Sequence, residues 1–187
     1  MSKNATPKSR LTALLKTGDR RSIGRSNEVS AAAADDPKLF AELVRAIWHA
    51  DPAARMRAAD AVEKASRKNP GLLRPHKAEL LGLMIEEEQK EVRWHLAGIV
   101  PRLQLSAEER NRAAAALRRY LEDSSSIVRT FALQGLADLS AADAGLRHEV
   151  VELLHQAVGA GTPAMKARAR NLLAAFEKKA TRKRRKG

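Results

Sequence analysis

Glu91-Val92-Arg93-Trp94-His95-Leu96-Ala97-Gly98-Ile99-Val100 is one copy of a register of apolar and basic residues that the chain repeats three more times. Aligned on the basic residue, Arg55, Arg93, Arg129 and Lys166 stand 38, 36 and 37 residues apart. The position before holds Ala54, Val92, Val128 and Met165. Three positions after stand Ala58, Leu96, Ala132 and Ala169; seven after, Val62, Val100, Leu136 and Leu173; ten after, Ala65, Leu103, Leu139 and Phe176. These offsets return to one side of a helix with about 3.6 residues per turn, so each copy predicts an amphipathic helix whose apolar stripe keeps a fixed register.

The segment upstream of each copy aligns as strictly. Fifteen residues before the basic residue stand Phe40, Ala78, Ala114 and Val151; twelve before, Leu43, Leu81, Leu117 and Leu154; eight before, Ile47, Ile85, Leu121 and Val158. Each copy is then a helical hairpin that cannot bury its apolar face alone, so neighbouring hairpins must stack. Local signals agree. Asp36-Pro37 and Asp51-Pro52 join a capping carboxylate to a proline at the first helical position. Asn69-Pro70-Gly71 ends the helix that runs to Lys68. Ser106-Ala107-Glu108-Glu109 has the pattern of a capping box, Ser140-Ala141-Ala142-Asp143 resembles one, and Gly159-Ala160-Gly161-Thr162-Pro163 divides the last pair. Four hairpins are predicted, over 36–69, 70–105, 106–140 and 141–178. Before them lies a basic arm, 1–35, with short helices at 9–16 and from Ser26 to Ala34 that cap the array. After them, 179–187 reads as a disordered basic tail.

Composition narrows the class. The 187-residue chain is long enough to bury a core, and its scarcity of aromatics with abundant alanine suits packed helices better than a β-sandwich. It has no cysteine, which excludes disulfides and thiolate metal sites and agrees with a reducing cytoplasm. The first residues lack the apolar run of a signal peptide, and Leu80-Leu81-Gly82-Leu83-Met84-Ile85 is too short to span a bilayer. A soluble cytoplasmic protein with no integral membrane segment is expected. The formal charge of +13 sits at the ends: residues 1–34 hold seven Lys/Arg against two acids, and 178–187 hold seven against none. The body, 35–177, is nearly neutral, with 21 basic and 20 acidic residues, so electrostatic arguments belong mainly to the termini.

The chain resembles the HEAT-repeat family of armadillo-like helical superhelices, including bacterial HEAT proteins. The resemblance covers all four hairpins and is carried by Val92-Arg93 and Val128-Arg129, with weaker versions in Ala54-Arg55 and Met165-Lys166. It implies an all-α fold: a right-handed α-α superhelix of four hairpins with an N-terminal helical cap and the second helices lining the concave side. It also implies a ladder in which an acid six residues before the basic residue joins it. Asp123 fits that place for Arg129 and Glu87 substitutes for Arg93, whereas His49 and Ala160 do not match. The ankyrin and tetratricopeptide signatures are absent.

Candidate sites separate by whether they repeat. The column Arg55, Arg93, Arg129 and Lys166 flanks the apolar stripe, where long stems can be buried and charged ends paired, so it reads as structural. Positions on the outward side of the second helices do not repeat. Met56, Trp94, His95 and Phe131 form an apolar centre there, with Arg57, Arg102 and Arg168 nearby. Aromatics beside arginines suit a protein interface, although Trp94 and Phe131 could equally lean over a neighbouring helix and complete the core. Some proteins of similar architecture are alkylpurine DNA glycosylases, which need aromatic surfaces and a carboxylate. Gly98 stands one turn from Trp94, where that acid would be wanted, and Asp60 lies a repeat earlier.

His148, Glu152 and His155 share a helical face but read as solvated surface rather than a metal set. No glycine-rich loop after a strand supports nucleotide hydrolysis, and Ser124-Ser125-Ser126 reads as helix capping. The tail residues Arg182, Lys183, Arg184, Arg185 and Lys186 could contact an anionic polymer. The expected function is a non-enzymatic scaffold, without cofactor or metal, that binds a protein partner along the second-helix face. The alternative is a nucleic-acid-associated module that uses the basic termini.

Overall fold

The structure, a computed structural model, describes residues 25–184. The helix expected at 9–16 and the last three residues lie outside that range. The protein is all-α, and among the described residues there is no strand.

Residues up to Gln104 and residues from Leu105 form separate compact units. The first contains α1 (Ser26–Ala33), α2 (Pro37–Ala46), α3 (Pro52–Lys68), a 3-10 segment (Pro70–His76), α4 (Lys77–Glu86), α5 (Lys90–Ile99) and a 3-10 turn (Val100–Arg102). The second contains α6 (Ala107–Tyr120), α7 (Ser126–Leu139), a 3-10 turn (Ser140–Ala142), α8 (Ala144–Ala160) and α9 (Pro163–Arg184).

Both units follow one packing rule. Short loops fold α2 against α3 and α6 against α7, while α8 packs on α9. The second helices then pack on each other, α3 on α5 in the first unit and α7 on α9 in the second. α1 lies across α3 and α2, burying Val29, Ala33 and Ala34.

The starts of the helices follow from their sequences. Asp36 and Asp51 cap α2 and α3, each followed by proline at the first helical position. Ser106 and Glu109 form a reciprocal capping box at α6. Two other signals act differently. Ser26 does not cap α1, because Arg25 holds the cap position and the Ser26 hydroxyl donates to Asp60 on α3. Ser140 ends α7 and donates to the Ala137 carbonyl at 2.7 Å, while Asp143 caps α8.

The second-helix columns are the core. Ala54, Val92 and Val128 are buried, as are Ala58, Leu96, Ala132, Ala169, Val62, Val100 and Leu136. The pattern weakens in the last hairpin, where Met165, Leu173 and Phe176 are half-buried. The first-helix columns need correction. Leu43, Leu81, Leu117 and Leu154 are buried, but Ala78 is exposed, Ile85 is 38% exposed and Leu121 is half-buried. From the second copy onward the buried line passes through Met84, Tyr120 and Ala157, one residue earlier than the alignment places it. Pro70–His76 winds as 3-10 ahead of α4, so α4 does not keep the phase of α2.

The C-terminal reading also changes. Residues expected to be disordered from 179 are helical to Arg184 as the continuation of α9. The run from Ala164 to Lys186 contains neither glycine nor proline and is rich in Ala, Lys and Arg, all strong helix formers.

Candidate interaction surface

The basic column is positioned by the loops that start the second helices. The backbone N–H groups of Arg55, Arg93, Arg129 and Lys166 donate to the carbonyls of Asp51, Gln89, Ser125 and Thr162 at 3.1, 3.0, 3.1 and 2.9 Å. Six residues before the first three stand His49, Glu87 and Asp123, which lock the turn in the same way. His49 Nδ1 accepts from the Asp51 N–H at 2.9 Å, Glu87 Oε1 from the Gln89 N–H at 2.8 Å, and Asp123 Oδ1 from the Ser125 N–H at 2.7 Å. His49 therefore takes the hydrogen-bonding place of an acid without its charge.

The Glu87 carboxylate pairs with Arg55 of the preceding hairpin. Arg55 Nε also donates to the Ile47 carbonyl at 2.8 Å, and Arg93 Nε donates to the Glu87 carbonyl at 2.6 Å. One buried acid thus links two hairpins and closes the turn of its own.

On the solvent side of the second helices in the first unit, Met56, Trp94 and His95 are half-buried. The Trp94 and His95 rings lie edge to face with centroids 5.8 Å apart. Burial holds the His95 imidazole down at about 4; Asp60 and Glu63 oppose that shift, and Lys64 adds to it.

The arginines expected beside Trp94 are not available as expected. Arg57 is 1% exposed, and so lies inside the packing rather than on its surface. Arg102 pairs with Glu63, and its Nη1 donates to the Glu63 carbonyl at 2.8 Å and to Ser66 Oγ at 3.0 Å. Helical spacing placed both residues outward, but Arg57 is buried, and the reach of Arg102 lets its guanidinium turn to the buried acceptors Glu63 and Ser66.

Asp60 and Glu63 organise this belt. Asp60 accepts from Ser26 and from Lys64 Nζ at 2.6 Å, while Lys64 also donates to Asn27 Oδ1 at 2.7 Å. These bonds tie α1 to α3. Glu63 takes Arg67 at 2.7 Å and Arg102 from beyond α5. Burial alone would raise its carboxyl, but hydrogen bonds and charge from the two arginines outweigh that cost and leave it below its ordinary value.

In the second unit, Phe131 and Arg168 are brought together. The Arg168 guanidinium lies 5.9 Å from the Phe131 ring centroid and donates to Gln134 Oε1 at 2.7 Å. His148 Nε2 stands 3.6 Å from Glu152, both well exposed, and His155 is exposed as well. Among the described residues no three His, Cys, Asp or Glu side chains converge as a metal set.

Sequence reasoning passed over Trp48, which is 52% exposed and donates through Nε1 to Glu79 at 2.8 Å. A signal was present: its counterparts in the other copies are Glu86, Glu122 and Gly159, so the position faces outward. An open cleft of about 520 Å3 in the first unit, walled partly by Arg74, Lys77 and Arg102, had no sequence signal because it depends on the 3-10 path of residues 70–76.

Among the described residues, no helix is long and apolar enough to cross a membrane. Comparisons with protein-family models, curated proteins and solved structures find no match for this chain.

Proposed function

We propose that this protein is a non-enzymatic HEAT-like scaffold that binds a protein partner through the solvent side of its second helices in the cytoplasm. The observation that carries the reading is Trp94, a partly open indole at a place where the other copies have Met56, Thr130 and Ala167. A large aromatic at a position that the repeat does not require serves recognition better than stacking. Each unit has its own anchor set: Trp94, Met56 and His95 in the first, Phe131 with Arg168 in the second. Asp60 ties α1 to α3 by accepting from the Ser26 hydroxyl, and Glu63 ties α3 to the turn after α5 through its ion pair with Arg102, which supports a structural use of the buried acids rather than glycosylase-like chemistry.

The test is affinity capture from the source cells at high salt with the native chain and Trp94→Ala. A partner retained by the native chain and lost by a folded Trp94→Ala variant supports the scaffold. Equal capture by both removes Trp94 from the interface. A second reading, attachment to nucleic acid, is favoured by the basic end of α9.

A further inference from the structure

The last turns of α9 extend beyond the packed part of the second unit. Phe176 still meets Arg147, whose guanidinium lies 5.3 Å from the ring centroid. From Glu177 to Arg182 every side chain is exposed. The backbone nevertheless stays helical through Arg184, and the Thr181 hydroxyl donates to the Glu177 carbonyl at 3.0 Å.

The helix sorts the charges. With successive residues about 100° apart, positions 178, 179 and 182 fall within an arc of roughly 100°, whereas Glu177, Ala180, Thr181 and position 184 lie on the other side. We propose that this face is a binding site for the backbone of double-stranded nucleic acid, with Lys178, Lys179 and Arg182 neutralising phosphates. The proposal rests on the nucleic-acid reading above and adds that the helix, not a flexible tail, presents the charges.

The composition of the helix end selects this occupant. After Phe176 there is no apolar side chain larger than Ala180, so the helix has no face to insert among lipid chains. It has no aromatic to stack on the bases of a single strand. What it offers is a regular row of cations, which suits the regular phosphates of a duplex and needs no base contact.

The experiment measures binding of the full chain to a labelled duplex of about 20 base pairs at about 50 mM salt. Lys178→Gln with Arg182→Gln is expected to weaken binding about tenfold and to reduce the salt slope by roughly 1.8, for two lost phosphate contacts. Thr181→Pro keeps every charge but breaks the helix, and should weaken binding about fivefold through lost preorganisation, whereas Thr181→Ala should bind like the native chain.

Equal duplex affinity for Thr181→Pro and Thr181→Ala overturns the helical site, even if the charge variant is weak, which would leave only the general nucleic-acid reading standing. No effect of the charge variant overturns both. Tighter binding to a single strand of equal length, to polyglutamate or to anionic lipid vesicles overturns the duplex assignment. Should Thr181→Pro fail to fold, Ala180→Gly with Thr181→Gly loosens the same turn without a ring and is expected to weaken duplex binding likewise; unchanged binding overturns the proposal.

Discussion

Gly98 illustrates how much a single position can be read in two ways. In the alignment it is a missing carboxylate beside Trp94, whereas in the fold it is a helical residue facing the Glu63–Arg102 pair. A Cβ there would lie 3.6 Å from Glu63 Oε1 and 3.8 Å from Arg102 Nη2, both ordinary contacts. Gly98→Ala should therefore raise stability by about 0.5–1 kcal/mol through the backbone alone, as urea denaturation would measure. His95 makes a separate expectation. Its folded-state pKa, about 4, lies below the ordinary value of 6.5 because burial disfavours the charged ring. The unfolded chain then binds the proton more readily, so stability falls as pH drops from the unfolded value toward the folded one. Between about pH 7.5 and about pH 5 the loss should be about 2 kcal/mol, and His95→Gln should flatten that part of the stability curve. Glu63 acts lower on the scale. Its depressed pKa gives stability that is present above the ordinary carboxyl range and is lost as pH falls through its folded value, so Glu63→Gln should weaken the fold at neutral pH and reduce its acid sensitivity.

At the level of elements, the loops before the second helices are the constant part of the design. His49, Glu87 and Asp123 each accept the N–H two residues ahead, and thereby set the angle at which α3, α5 and α7 begin. The acids were legible from sequence because the resemblance assigns them a role; His49 was not, because an imidazole nitrogen can replace a carboxylate oxygen only where hydrogen bonding, not charge, is required. Glu87 does more than His49, since it also receives Arg55 while 5% exposed. Glu87→Ala is expected to cost about 2–4 kcal/mol and His49→Ala about 1 kcal/mol, compared by urea unfolding under the same conditions. The first helices show where periodicity misleads. In α4 the apolar residues Leu80, Leu81, Leu83 and Met84 are all buried, so several phases fit the sequence, and the 3-10 turn before them decides that Ile85 points outward.

For the whole molecule, the charge distribution and the second-helix surface make opposite demands on an experiment. Capture of a protein partner through Trp94 should survive about 0.5 M salt, because apolar anchoring is little screened, whereas attachment through the end of α9 should vanish there. A salt series with native chain, Trp94→Ala and the Lys178→Gln, Arg182→Gln variant separates the two by which substitution abolishes binding. The repeat spacing, the helical class, the caps at Asp36, Asp51 and Ser106 and the second-helix core were all determined by the order of residues, because a helix converts spacing along the chain directly into a face. The tertiary structure alone decided that Arg57 is buried, where Arg102 turns, that Ser26 meets Asp60, and which arginine Glu87 receives. The three pairings join residues more than thirty positions apart in the chain, and no local period records such distances.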